Sequence, residues 1–168
     1  DMYNLKELVT RLIAGSSIEI NPDKFQNDMT TFASADDVLT LLVHLGYLTY
    51  DFDTCTVHIP NQEVQKEFIN CIEDGGWEPV MDAIRKSEEL LAATIRGEEE
   101  TVARMIENAH QENTSILAYN DENSLACVIA LAYYSAKKNY VVYRELAGGK
   151  GFADMVFVPR KTTQTPAI

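Results

Sequence analysis

The chain has 168 residues, 46% of them hydrophobic and 24% charged, values that fit one globular domain or two small ones and exclude disordered and collagen-like classes. Its formal net charge of −12 disfavours non-specific attraction to nucleic acid, which Lys and Arg drive. Apolar runs are short and broken by charge, and Asp1-Met2-Tyr3-Asn4-Leu5-Lys6 lacks the basic-then-apolar pattern of a secretion signal, so no membrane partner and a cytoplasmic location are expected.

Leu5, Leu8, Val9, Leu12 and Ile13 recur at helical spacing and Gly15 follows as a stop, predicting a short amphipathic helix over Asn4–Ala14. After the polar stretch at Asn21-Pro22-Asp23, Ser34-Ala35-Asp36-Asp37 gives an N-terminal capping signal for a helix through Leu45, ended by Gly46. The period then changes. Tyr47–Tyr50 and Thr54–Ile59 read as two strands of a hairpin, followed by a helix from Asn61 through Ile72. A helix followed by a hairpin has the shape of a winged-helix unit, but Ala35–Leu45 contains no Lys or Arg. We therefore expect residues 1–75 to form a packing or lid module.

Asp74-Gly75-Gly76 is the expected boundary, because paired glycines break helices and strands alike. Beyond it, Glu78–Arg96 and Glu98–Glu112 each place their apolar residues on one face around Gly97, predicting an antiparallel helical pair. The segment Asn123–Lys138 is apolar on most sides and predicts a core helix, with Glu122 in its first turn. Tyr140–Leu146 and Phe152–Val158 read as a hairpin around the glycine-rich turn Ala147–Gly151, after the polar turn Thr162–Thr165 Pro166-Ala167-Ile168 resembles the start of a strand, and the fold class is α+β.

Cys55, Cys71 and Cys127 lie far apart without a Cys-x-x-Cys pair, and His44, His58 and His110 are equally scattered, which argues against a zinc site or a disulfide framework. The chemical signal is instead Asp154, an acid inside Phe152-Ala153-Asp154-Met155-Val156-Phe157-Val158. Aspartate is depleted in strands and costly to bury unpaired, so a partner such as a metal, a base or backbone donors is expected. Around it, Lys137, Lys138, Arg144, Lys150, Arg160 and Lys161 face only Glu145 and Asp154 as acids, a locally basic segment in an acidic chain. Glu122 shares a helical stripe with Leu125, Ile129 and Ala136, which would aim its carboxylate inward toward the hairpin. Two acids on rigid elements are a plausible start for a Mg²⁺ site. An exposed acid at a helix N-terminus and a strand-end aspartate bonded to the glycine turn are the alternatives.

The segments Tyr119–Leu125 and Ala132–Ala136, with Arg144-Glu145-Leu146 and Gly149–Pro159, resemble a bacterial AAA-ATPase-like family that carries a C-terminal domain of the PD-(D/E)xK nuclease superfamily. The resemblance covers about residues 113–168. It implies a helix before a strand hairpin, the motif aspartate in the second strand and a Glu-x-Lys motif on a third. It also implies Mg²⁺ bound by the acids for phosphodiester cleavage of nucleic acid. Asp154 matches the motif aspartate, and Glu122 the acid of the first helix; both would be catalytic and metal-binding. Lys150 and Arg144 would be phosphate contacts by charge. Residues 1–75 are similar to the lid-like end of the ATPase portion, and residues 76–168 would hold the helical pair and a truncated nuclease-like domain. No Glu-x-Lys follows Asp154 and no Gly-x-x-x-x-Gly-Lys-Ser/Thr loop is present, so the expectation is a fragment, inactive alone, of a longer enzyme. The rival expectation is a non-catalytic module that pairs with a partner protein or a second copy through its acidic helices and its open hairpin edge.

Overall fold

The computed structural model describes residues 4–25, 32–73, 75, 77–113, 116–117, 122–147, 152–160 and 166–168. In chain order the elements are α1 (Leu5–Ala14), β1 (Ile18–Glu19), a 3-10 turn (Pro22–Lys24), α2 (Ala35–His44), β2 (Thr49–Asp51), β3 (Thr56–His58) and α3 (Gln62–Glu73). They continue with α4 (Glu78–Arg96), α5 (Glu99–Asn113), α6 (Glu122–Ala132), a 3-10 helix (Tyr134–Lys138), β4 (Tyr140–Ala147) and β5 (Phe152–Pro159). Helices and small antiparallel sheets coexist, so the class is α+β. Two compact units result: Asp1–Glu78 with Ile116–Ala118, and Pro79–Ser115 with Tyr119–Ile168.

In the first unit, α1 buries Leu12 and Ile13 and ends at Gly15, whose φ of 98° is a left-handed conformation that favours glycine. Ser34 caps α2 in a reciprocal box. Its hydroxyl accepts the Asp37 N–H, while the Asp37 carboxylate accepts the N–H groups of Ser34 and Ala33 at 2.9 and 2.8 Å. Those bonds, with the helix N-terminus, offset the cost of a carboxylate that is only 6% exposed. The three strands pair in the order β1-β3-β2, with Ile18↔Val57 and Tyr50↔Val57 in register. Strand β1 is an addition to the sequence reading. Its signal was the alternation Ile18-Glu19-Ile20, buried, exposed, buried, too short to stand out in the chain. Leu12, Ile18, Ile20, Leu39, Leu48 and Val57 form the core. The buried Gln65 side chain of α3 donates to the Ile13 carbonyl and ties α3 to α1. Of the expected break, Gly75 alone is among the described residues; a Cβ there would meet the Trp77 indole at 3.0 Å.

In the second unit, α4 and α5 are joined at Gly97, whose φ is 73°. Their far ends meet again, where the Asn113 amide donates to the Pro79 carbonyl at 3.4 Å, which makes the pair antiparallel. α5 packs closely on α6. The expected helix over Asn123–Lys138 is instead two pieces, α6 and the 3-10 helix after it. The break has a tertiary cause: the Ser135 N–H is taken by the Ser87 hydroxyl of α4 at 3.2 Å rather than by a carbonyl one α-turn back. The Tyr133 hydroxyl joins Thr94 of α4 at 2.8 Å and fixes the same corner.

Candidate functional site

The hairpin that carries Asp154 keeps one antiparallel register from Tyr140↔Pro159 to Ala147↔Phe152. Residues directly opposite one another share a face, so Tyr140, Val142 and Arg144 lie with Pro159, Phe157 and Met155. That face is the covered one. Phe157 is 5% exposed, and its ring lies 5.1 Å from Tyr133 and 6.3 Å, edge-on, from Tyr140. Asp154, Val156 and Val158 take the other face by the period of two.

Asp154 is accordingly exposed, and it makes no hydrogen bond or ion pair among the described residues. Of the partners expected for it, a base or a set of backbone donors is therefore not found among the described residues. The aromatic residues select one face for burial, water covers the other, and a hydrated carboxylate incurs no desolvation cost. Because Arg144 pairs with Met155 and Leu146 with Ala153, Glu145 stands opposite Asp154 in the ladder. In the sequence Glu145 stands out only as an acid of the basic segment and within Arg144-Glu145-Leu146; the hairpin register is the signal that sets it against Asp154.

Glu122 is the first residue of α6, and its side chain lies outside the described residues. The Leu125–Ile129 stripe on which the sequence places it is not the buried side of the helix. The buried side of α6 is Ser124, Cys127, Val128, Leu131 and Ala132, whereas Leu125 is 39% exposed and Ile129 only half-buried. Position 122 continues the Leu125–Ile129 stripe, and Ala136 belongs to the separate 3-10 helix, where the α-helical phase no longer holds. Arg144 is exposed on the hairpin face opposite Asp154, so the structure does not gather these two onto one surface. Lys150, the glycine turn and the expected polar turn at Thr162–Thr165 lie outside the described residues.

One further strand-like contact bears on Asp154. The Phe157 N–H donates to the Ile168 carbonyl at 2.9 Å, and the Ile168 N–H donates to the Phe157 carbonyl at 3.2 Å. This two-way exchange is the mark of a hydrogen-bonded antiparallel pair. Both polar groups of Phe157 therefore point to the edge of β5 away from β4, and the chain segment at Pro166–Ile168 lies along that edge.

Burial also acts on Lys137, whose ammonium sits 5.2 Å from the centre of the Tyr134 ring. Desolvation brings its pKa down to about 8, with electrostatic coupling to Cys127 opposing that shift. Among the described residues no group of three or more His, Cys, Asp or Glu side chains could hold a metal ion, and no helix is long and apolar enough to cross a membrane. Asp154 presents a carboxylate, a hard oxygen ligand, on an open surface. Comparison of the chain with protein families, curated proteins and solved structures finds no match.

Proposed function

We propose that α6 and the β4–β5 hairpin belong to a Mg²⁺-dependent nuclease-superfamily domain of the PD-(D/E)xK kind, with Asp154 as catalytic metal ligand and Glu122 as its helper. The observation that carries this reading is the Ile168–Phe157 pair. In that antiparallel register, the third residue beyond Ile168 would pass beside Asp154. The pair would be of the non-hydrogen-bonded type, with Cα atoms about 4.5 Å apart and side chains on one face. An acid there and Asp154 could flank one cation, and a lysine two residues further on would share the face, the spacing of Glu-x-Lys. When bound, Mg²⁺ would act as a Lewis acid on a phosphodiester and lower the pKa of an attacking water. Asp154 contributes an exposed carboxylate that, among the described residues, no donor occupies. Lys150 and Arg144 remain proposed phosphate contacts on charge alone, and a nucleic-acid substrate is part of the proposal.

Two measurements test it. Reading the gene beyond Ile168 should find an acid at the third codon and lysine at the fifth; a stop codon, or apolar residues at both, would sink the reading. In the longer protein, Asp154→Ala should reduce Mg²⁺-dependent cleavage more than about a hundredfold. Because Asp154 is exposed, the same change should shift stability by no more than about 0.5 kcal/mol. Unchanged cleavage would reject its role.

For the first unit, the order helix, strand, short helix, helix and hairpin, with sheet order β1-β3-β2, supports a winged-helix-like module. α2 carries Asp36 and Asp37 in its first turn and no Lys or Arg, which favours a packing or lid role of the AAA-ATPase-like kind over DNA reading. A second reading of the whole, a protein-interaction or oligomerisation module, is favoured by the outer face of the hairpin, where Tyr143 is 45% and Val158 39% exposed. Sedimentation of the chain alone separates the two: a stable oligomer supports the second reading, and a strict monomer counts against it.

A further inference from the structure

The second unit holds a cleft of about 310 Å³ between α4 and α5, with Ala132 of α6 in its lining. That volume is at the lower end of small-molecule sites. Its apolar lining is Leu90, Met105, Ala109 and Ala132, and Met105 adds an adaptable thioether. The polar lining is divided by partnership. Lys86 stands 3.5 Å from Asp82 and 4.0 Å from Glu112, so its charge is already answered. Glu89 also lines the cleft and interacts electrostatically with Arg96. Arg104 and Asn108 differ. They sit one helical turn apart on α5, both face the cleft, and among the described residues neither side chain has an ion pair or hydrogen bond.

A guanidinium and an amide with open donors above an apolar floor suit a carboxylate attached to a compact apolar body. We propose that this cleft binds a small amphipathic monocarboxylate, its carboxylate on Arg104 and Asn108 and its apolar body over Leu90, Met105 and Ala132. Glu89 opposes an anion, so it limits affinity and sets the sign of one test. The site is separate from the residues assigned to phosphodiester chemistry and stands whether or not that reading holds.

The experiment is a titration of the ¹³C-methyl-methionine-labelled chain at neutral pH with octanoate, and with octylamine and octanol as matched cationic and neutral probes. Octanoate should shift the Met105 methyl saturably and leave Met155 in place, and octylamine should bind more weakly. Arg104→Gln should weaken octanoate binding about tenfold, and Glu89→Gln should strengthen it about threefold. Both substitutions are at exposed positions of long helices, so the fold is retained and thermal melting verifies it. No saturable shift, octylamine binding as tight as octanoate, an unchanged affinity in Arg104→Gln, or a Met155 shift equal to that of Met105 would each overturn the proposal.

Discussion

Lys137 shows how burial rather than sequence sets the behaviour of a single residue. In the chain it is one of two adjacent lysines before the hairpin, yet Lys138 reaches Glu88 at 2.6 Å in the open while Lys137 is half-buried. Desolvation lowers the Lys137 pKa to about 8 in the folded state, from 10.5 as the ordinary value. Below the folded value both states are protonated, and folding bears the full cost of desolvating the charge. As pH rises from about 8 to 10.5 the folded state releases its proton first, so this residue's destabilisation fades across that window. Lys137→Met should therefore raise stability by about 1–2 kcal/mol at pH 7, after allowing for the lost contact with Tyr134. The advantage over the wild-type chain should shrink in denaturant titrations toward pH 10.5; a pH-independent difference would contradict the burial account. Asp154 is the reverse case, since its exposure leaves it chemically available.

At the scale of elements, the helices announced themselves where local chemistry decides. Ser34 with Asp37, the left-handed Gly15 and Gly97, and the stripe through Val80, Leu91 and Ile84 are features a chain carries before it folds, and α4 runs over Glu78–Arg96 as its pattern predicts. α6 failed because the cause of its break lies elsewhere: Ser87, far away in the sequence, captures the Ser135 N–H. Periodicity is blind to that competitor. Ser87→Ala leaves a buried N–H unsatisfied and should cost about 1–3 kcal/mol in chemical denaturation. A change under about 0.3 kcal/mol would show that the bond does not hold the corner. Strand β1 was hidden for a different reason, since two residues give too short a period to register and β3 supplies its pairing.

For the molecule as a whole, charge is distributed unevenly between the units. Residues 1–78 hold fourteen acids and four bases, whereas residues 79–168 hold twelve and ten. Such a field repels phosphate backbones. This chain should accordingly give no anisotropy change with duplex DNA at about 0.15 M salt, even with Mg²⁺ present; micromolar binding would contradict the packing or lid reading of the first unit. The sequence by itself determined the α+β class, the helix caps and the hairpin with Asp154 out of phase with Phe157, because propensity, capping and alternation act within a few residues. Only the tertiary structure decided which face of that hairpin meets water, where α6 stops, and that Ile168 returns to the edge of β5. Those outcomes depend on Tyr133, Tyr140, Ser87 and Phe157 finding partners across the fold, and distance along the chain hides such pairings until packing makes them.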